Sequence, residues 1–493
     1  MIDFRACYLY LIIVFVALFA VFPLTDTDIW WHLACARKWV TTWTPVRDPV
    51  VNVHEYFQQV VAFVYDIGGA PLLVVFKAIL WGLVFALFLR GVKCRNLMSS
   101  AIAVVILFIF RYQFEIRPVL FSLLFLGIYW NVLPWLFRTR NEMGGLCAKR
   151  VAKPHNVVKT AGAAVLILAI QWLWCRFQGL YILGPLFALL ILWANGWSRR
   201  WGAFVVLLFA MPLLHRDGLN LFLYPFGLLD RLLGLSPSAA FFASEIAENR
   251  SPITLLMAGE NVLQSALMVV FSVAGIVLAV RHLCRSESVW LLTTAILALV
   301  AERNFVLFLP VLFAVGVKCW PRLCLCKQSH DVRPSRLPNR LPPAAYRLLS
   351  TLLIAFTLGL WAKSLAFYDR SMVAYQRVPV AATQWMLENP HSGRLFNDDR
   401  AGGYLAFMNP SDSTFIDGRF ILKTAEFFEK YLQYAESPQT FLHDADSLDI
   451  DRVVLPLRYY ARWDKLLGTL DSSEKWHVAY RDSLFVVMDR TAH

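Results

Sequence analysis

Two carboxylates, two indoles and an imidazole fall within residues 26–33, Asp26-Thr27-Asp28-Ile29-Trp30-Trp31-His32-Leu33, directly after an apolar run that ends at Leu24. Carboxylates and imidazoles are the groups that move protons at neutral pH, and here they would sit at a membrane surface. If Asp26 or Thr27 caps a helix, the i, i+3, i+4, i+7 spacing puts Asp28, Trp31, His32 and Cys35 on one face, with Trp30 and Trp39 free to anchor in the headgroup layer. Capping and anchoring alone would need neither a second carboxylate nor a histidine on the same turn, so Asp28, Asp26 and His32 are the candidate catalytic residues.

The chain that must position them is 493 residues long, 58% hydrophobic, with long runs nearly free of charge. That composition belongs to a polytopic membrane protein. The net charge of +13 is uneven: from Asp369 onward there are 14 Lys and Arg against 18 Asp and Glu, leaving 33 against 16 upstream. The basic excess lies wholly in the apolar part, where it sets orientation, so nucleic acid is not a partner. The first apolar run lacks a small-x-small cleavage site before Asp26 and reads as a retained anchor. None of the nine cysteines follows Cys326, so residues 369–493 are not held by disulfides, and the spacing of Cys319, Cys324 and Cys326 matches no zinc framework.

Apolar helices are expected near 6–24, 70–89, 98–112, 118–137, 160–175, 179–197, 201–214, 262–280, 288–301, 305–317 and 348–367, about eleven crossings by hydropathy. A shorter helix, 54–67, would lie in the interface or re-enter before Gly68-Gly69 breaks it. Alternating from a cytoplasmic N-terminus, one side receives Arg90, Lys93 and Arg95; Arg138, Arg140, Lys149, Arg150, Lys153 and Lys159; Arg199 and Arg200; Arg281 and Arg285; and the Pro/Arg-rich linker 318–347. This follows the positive-inside rule. The outer side then receives the first outer loop 25–69 with His54 and Glu55, Glu115 with Arg117, Arg176 with Gln178, the segment 215–261, and Glu302-Arg303-Asn304. Charges so near span ends pair or face a polar cavity. The plain alternative is local pairing, Glu115 with Arg117 or Glu302 with Arg303.

Residues 369–493 change character and read as an extracytoplasmic α/β domain following a transmembrane domain over 1–368. Helices are expected at 380–387, 424–434 and 459–470, and strands at 394–396, 414–416, 452–455, 477–480 and 485–488. Two glycine turns, Ala401-Gly402-Gly403-Tyr404 and Ile416-Asp417-Gly418-Arg419, would present Asp417 and Arg419 at loop tips. No nucleotide-binding glycine pattern, zinc-protease motif or nucleophile elbow is present.

The acidic pair after the first span, the outward active face and the C-terminal α/β domain resemble the GT-C superfamily of membrane glycosyltransferases, which use polyprenyl-phosphate-linked sugars. The chain is more closely similar to a group of largely uncharacterised bacterial multipass proteins with a D-x-D-x-W-W-H-L start. The likeness is carried by residues 26–33, 54–61, 115–122, 302–304, 401–405 and 415–419. Two stretches depart from that group: 174–179 lacks the usual Asn and His of W-x-N-x-H-G, and His215-Arg216-Asp217-Gly218 stands where Asn-Pro-x-Gly is usual. These departures point to a different substrate or an inactive relative.

The resemblance implies an all-α GT-C-like bundle in the inner membrane, the C-terminal domain periplasmic or extracellular, and inverting transfer from a polyprenyl-phosphate sugar to a glycan, lipid or protein acceptor. It gives Asp28 the role of base or acceptor-orienting carboxylate, since Ala36-Arg37 follow at the distance where related enzymes carry Ala-Arg. Arg117, Arg176 and Arg303 become candidates for the lipid phosphate, because guanidinium pairs with phosphate bidentately. Glu55, His54, Glu115, Asp417 and Arg419 are further substrate-binding candidates. A divalent cation, Mg or Mn, would draw on Asp26, Asp28 and Glu55, with His54 beside them. Two competing readings remain open: a transporter or flippase for a lipid-linked glycan, in which the paired charges are gating contacts, and a non-catalytic cell-envelope scaffold.

Overall fold

The computed structural model describes residues 7–46, 51–92, 97–137, 157–233, 236–245, 247–282, 285–325, 342–419, 422–458 and 461–491. Outside the described residues lie Lys93, Arg95, Arg138, Arg140, Lys149, Arg150, Lys153, most of the 318–347 linker, Cys326, and the side chains of Cys319, Cys324 and Arg285. The helices are α1 (Cys7–Phe19), α2 (Asp28–Arg37), α3 (Glu55–Leu89), α4 (Leu97–Ile109), α5 (Pro118–Leu136), α6 (Val157–Phe177), α7 (Leu183–Asn195), α8 (Arg199–Ala210), α9 (Gly218–Leu233) and α10 (Pro237–Glu245). They continue as α11 (Pro252–Met257), α12 (Val262–His282), α13 (Arg285–Val300), α14 (Phe305–Leu325), α15 (Pro343–Ala366), α16 (Val380–Glu388), α17 (Asp399–Met408), α18 (Ala425–Glu436), α19 (Pro438–Ser447) and α20 (Asp464–Asp471). Four strands complete the set: β1 (Arg394–Asn397), β2 (Ile450–Pro456), β3 (Trp476–Arg481) and β4 (Phe485–Arg490).

The chain divides into two compact units. The first comprises residues 1–22, 75–232 and 243–368; the second comprises 23–74, 233–242 and 369–493. Residues 23–74 thus pack with the C-terminal domain.

Among the described residues the first unit contains helices and no strand. Here α4 packs on α1 and α15, α5 on α6 and α7, and α13 on α12, α14 and α7. Over the whole chain, five helices among the described residues are long and apolar enough to cross a membrane: Glu55–Leu89, Pro118–Leu136, Val157–Phe177, Val262–Arg281 and Ala344–Ala366. A sixth crossing arises if Arg199–Leu214 and Gly218–Asp230, bent by 109°, form one span. Four more of the eleven expected crossings correspond to shorter apolar helices, Leu9–Phe19, Leu97–Ile109, Gly179–Asn195 and Glu287–Val300. At 1.5 Å per residue these fall short of a hydrocarbon core of about 30 Å. One face of α15 leaves Leu348, Leu349, Leu352 and Phe356 exposed, the apolar surface a membrane-crossing helix presents. In α3 the helical geometry breaks at Gly68 (φ −152°, ψ 20°) and Gly69 (φ 64°, ψ −159°), and Pro71 opens the following turn. This is the break expected from Gly68-Gly69, and it separates 55–67 from the apolar run that follows.

The second unit is built on a sheet of order β1-β2-β4-β3, with β1 parallel to β2 and the other pairs antiparallel. A crossover through α17, α18 and α19 joins the parallel pair, as such pairs require. Alternation along the strands fills both faces. Phe396, Val453, Leu455, Val486 and Met488 pack with Phe428, Tyr431, Phe441 and Leu466 from α18, α19 and α20, while Leu395, Val454, Phe485 and Val487 pack with Ala382, Met386, Ala401 and Leu405 from α16 and α17. Three elements differ from expectation, and the first is α19, which no expected helix covers. Ala401-Gly402-Gly403-Tyr404 lies inside α17 and is not a turn. Residues 414–416 form no ladder strand, because Thr414 is already paired in an isolated bridge with Thr42.

Candidate functional site

Three stretches distant in sequence meet in the second unit. Helix α2 starts at Asp28, whose N–H donates to the Asp26 carboxylate (3.2 Å), while the Thr27 side chain makes no cap hydrogen bond. Asp26 therefore serves as the cap and is buried, whereas Asp28 is half-buried in the first turn. Helix α17 packs against α2. Its Gly403 lies so near that an added Cβ would come within 2.8 Å of the Trp31 backbone nitrogen. Gly418, in the loop after α17, is as close: a Cβ there would sit 2.6 Å from Asp28 Oδ1 and 3.2 Å from Trp31 Nε1. The glycines of both motifs thus serve close approach to Asp28 and Trp31.

Aromatic packing fixes α2 further. Trp30 is fully buried, edge-on to Tyr404 at 4.8 Å, so it is a core residue and not the headgroup anchor that its position suggested. The His32 ring, also buried, lies 3.6 Å from Trp31, 4.7 Å from Phe57 and 5.4 Å from His54, centroid to centroid. His54 donates its N–H to Asn52 Oδ1 (3.2 Å), and Glu55 opens α3 half-buried. Burial pushes the Cys35 thiol up to about 12, against the counter-pull of Arg419, so it is no nucleophile. Among the described residues no group of three or more His, Cys, Asp or Glu side chains gathers as a metal site. Asp26, Asp28 and Glu55 do not assemble a donor set in this arrangement.

Asp417 and Arg419 are not at a loop tip. Asp417 is 2% and Arg419 8% exposed. The guanidinium donates to Asp417 Oδ2 (2.6 Å), Thr41 Oγ1 (2.7 Å) and the Trp39 carbonyl (2.8 Å), and Thr41 donates to Asp417 (2.5 Å). Burial alone would raise the Asp417 carboxyl, but Arg419 and its hydrogen bonds hold it below the usual range. Beside them Lys423 donates to Thr42 Oγ1, Thr44 Oγ1 and the Thr44 carbonyl at 2.8–2.9 Å; burial, with the like charge of Arg419, lowers its pKa to about 8. These two cations, Lys423 unforeseen from sequence, clamp residues 39–45 to the C-terminal domain. Main-chain bonds at Thr414–Thr41 (3.1 Å), Trp43–Thr414 (3.0 Å) and Leu24–Met372 (2.9 Å) add to the clamp.

The remaining candidates, Glu115, Arg117, Arg176 and Arg303, form ion pairs or hydrogen bonds in the first unit. Glu115 is buried with its Oε2 3.8 Å from Lys77 Nζ, and Lys77, fully buried, also donates to the Phe22 carbonyl (3.1 Å). Arg117 makes a two-pronged pair with Glu248, both contacts 2.8 Å. Arg176, buried, meets Asp217 at 2.5 Å, and Arg303 donates to Asn249 Oδ1 (2.7 Å). Beyond the local alternative, Glu115, Arg117 and Arg303 thus pair with partners on other segments. Lys77, Asp217 and Glu248 were missed from sequence. Lys77 had a signal, as the lone charge in the apolar run 70–89; Glu248 had none, since its partner lies 131 residues away.

No protein family and no curated protein sequence matches the chain. Its fold is similar to that of the Archaeoglobus fulgidus oligosaccharyltransferase. The apo crystal structure of that protein matches with a TM-score of 0.52 and 12% identity over 92% of this chain and 70% of that one. A second crystal structure of it, tethered by a disulfide to an acceptor peptide containing the NVT sequon, matches with a TM-score of 0.53 and 15% identity over 99% of this chain and 74% of that one.

Proposed function

We propose that this chain is a membrane glycosyltransferase of the GT-C type, moving a sugar from a polyprenyl-phosphate donor to an acceptor at the outer face, with Asp28 as base or acceptor-orienting carboxylate. The observation that carries the reading is the convergence on Asp28. The half-buried carboxylate is approached by Gly418 and flanked by Trp31, and α2, which bears it, is held in place by Gly403 of α17. A carboxylate so held is pre-oriented, which is what proton transfer in a transition state requires. Likeness in fold to an oligosaccharyltransferase supports the reaction class. The acceptor is a peptide in that protein; here a glycan, lipid or protein acceptor is proposed.

Arg117, Arg176 and Arg303 take the role of steadying the departing lipid phosphate, as guanidinium forks do. Two measurements test the reading. Mass spectrometry of lipids that co-purify with the protein is expected to find a polyprenyl phosphate or its sugar adduct. Asp28→Asn is expected to lower transfer at least about a hundredfold while folding and lipid binding stay near wild type, because Asn keeps the size and loses the proton acceptor. Full transfer by Asp28→Asn overturns the catalytic assignment. A transporter of lipid-linked glycan is the second reading, favoured by the buried Lys77–Glu115 pair; lipid binding without any transfer would select it.

A further inference from the structure

Three consecutive residues of one short segment lie across three other parts of the first unit. Glu248 pairs with Arg117 (2.8 Å at both prongs), Asn249 accepts from Arg303 (2.7 Å), and Arg250 pairs with Glu260 (2.6 and 2.9 Å). The Arg250 carbonyl also accepts from the Glu302 N–H (3.1 Å). Two of the three arginines proposed for the donor phosphate are therefore engaged by this one segment.

The two sides of the Arg117 pair differ in how firmly they are held. Arg117 follows a turn braced from α3, where Trp81 Nε1 donates to the Glu115 carbonyl (3.1 Å) and Lys77 lies 3.8 Å from the Glu115 carboxylate. Glu248 lies in a single 3₁₀ turn, Ala247–Asn249, with its side chain 47% exposed. A carboxylate and a phosphate each offer two oxygens to the same guanidinium fork, so the group that occupies the fork is chemically a stand-in for a phosphate.

We propose that Glu248 is an internal place-holder for an anionic headgroup, seated in the fork of Arg117 until a phosphate ester displaces it and the 248–250 segment moves aside, breaking the Arg303–Asn249 hydrogen bond as well. The proposal rests on the reading above that these arginines receive a lipid-linked phosphate. A half-exposed pair of this kind is weak, so exchange for a ligand with more negative charge is favourable.

The test measures binding to the full-length protein in detergent by native mass spectrometry, with farnesyl phosphate, farnesol and inorganic phosphate as probes. Removing the competing charge by Glu248→Gln is expected to tighten farnesyl phosphate about fivefold, the factor corresponding to about 1 kcal/mol. Farnesol should be unchanged, and Arg117→Met combined with Glu248→Gln should erase the gain. If Glu248→Gln does not fold, Glu248→Asp, one methylene too short for the fork, replaces it with a smaller gain expected. Unchanged or weaker farnesyl phosphate binding in a variant that melts like wild type overturns the place-holder. An equal gain for inorganic phosphate keeps the place-holder and removes the lipid donor from the reading.

Discussion

Asp26 and Asp28 are equivalent in the sequence and unequal in the structure. One is buried and closes the first turn of α2 with its side chain; the other stands half-buried against Gly418. Asn caps a helix about as well as Asp, so Asp26→Asn should leave transfer nearly intact where Asp28→Asn lowers it, with the melting temperature near wild type in both. Arg419 shows the reverse of what its sequence neighbourhood implies. An Asp-Gly-Arg turn reads as an exposed tip, yet the arginine is the buried anchor of Thr41 and Trp39. Removing one partner from a buried ion pair costs about 3 to 5 kcal/mol. Arg419→Ala should therefore lower the melting temperature by roughly 10 °C, of the order expected for a unit this size, as differential scanning fluorimetry would show. An unchanged melting temperature with lost transfer would restore Arg419 to the substrate. Residue types flagged the chemistry of this region, but burial and pairing depend on contacts such as Asp417 with Thr41, 376 residues apart, that no local pattern carries.

Helix α17 was hidden for a physical reason. Two glycines in its second turn weaken intrinsic helix propensity by about 1 kcal/mol each, and Asn-Asp-Asp before them reads as a turn. The structure uses Asp398 as the cap, accepting from Arg400 N–H (3.1 Å) and Trp463 Nε1 (2.8 Å), and the glycines for contact. A Cβ on Gly402 would lie 1.9 Å from the Ile416 carbonyl oxygen. Gly402→Ala, which would strengthen an isolated helix, should here destabilise the second unit and loosen the 415–419 loop; a higher melting temperature would contradict this packing. Four of the five expected strands form, because their alternation is local, whereas α19 was not expected at all: the helix read at 424–434 stops short of Pro438. A second device holds the start of β1. His391 bridges Asp451 (2.5 Å) and Asp412 (2.9 Å) through its two ring nitrogens. Burial alone would lower its pKa, but the two carboxylates outweigh this and raise it to about 9. With an unfolded value near 6.5, the stabilisation is complete below about pH 6.5 and is lost as pH rises through about 9, on the order of 3 kcal/mol in all. His391→Gln should abolish that alkaline limb of the melting-temperature profile, while an identical limb in the variant would place its origin elsewhere.

At the scale of the whole molecule, composition and basic loops were enough to read a membrane protein with a separate C-terminal domain, but not the membership of that domain. Residues 23–74 join it because Trp43, Thr41 and Leu24 hydrogen-bond to residues beyond 369. That joining constrains topology more firmly than hydropathy does. Segments that share main-chain bridges, Leu24 with Val373 and Thr42 with Thr414, must lie on one side of the bilayer, since neither bridge can form through a hydrocarbon core. The number of crossings between residue 23 and residue 369 is then even, whichever of the short helices span. We expect the shared side to be the outer one, from the basic loops Arg199-Arg200 and 318–347. Reporter fusions after Arg490 and within 38–46 should report the same, outer side, and a fusion at Asn339 the inner. Opposite sides for the first two would break the second unit as described. Agreement between them with the inner side reported would keep the unit, invert the bundle, and remove the outward-facing site from the proposed reaction.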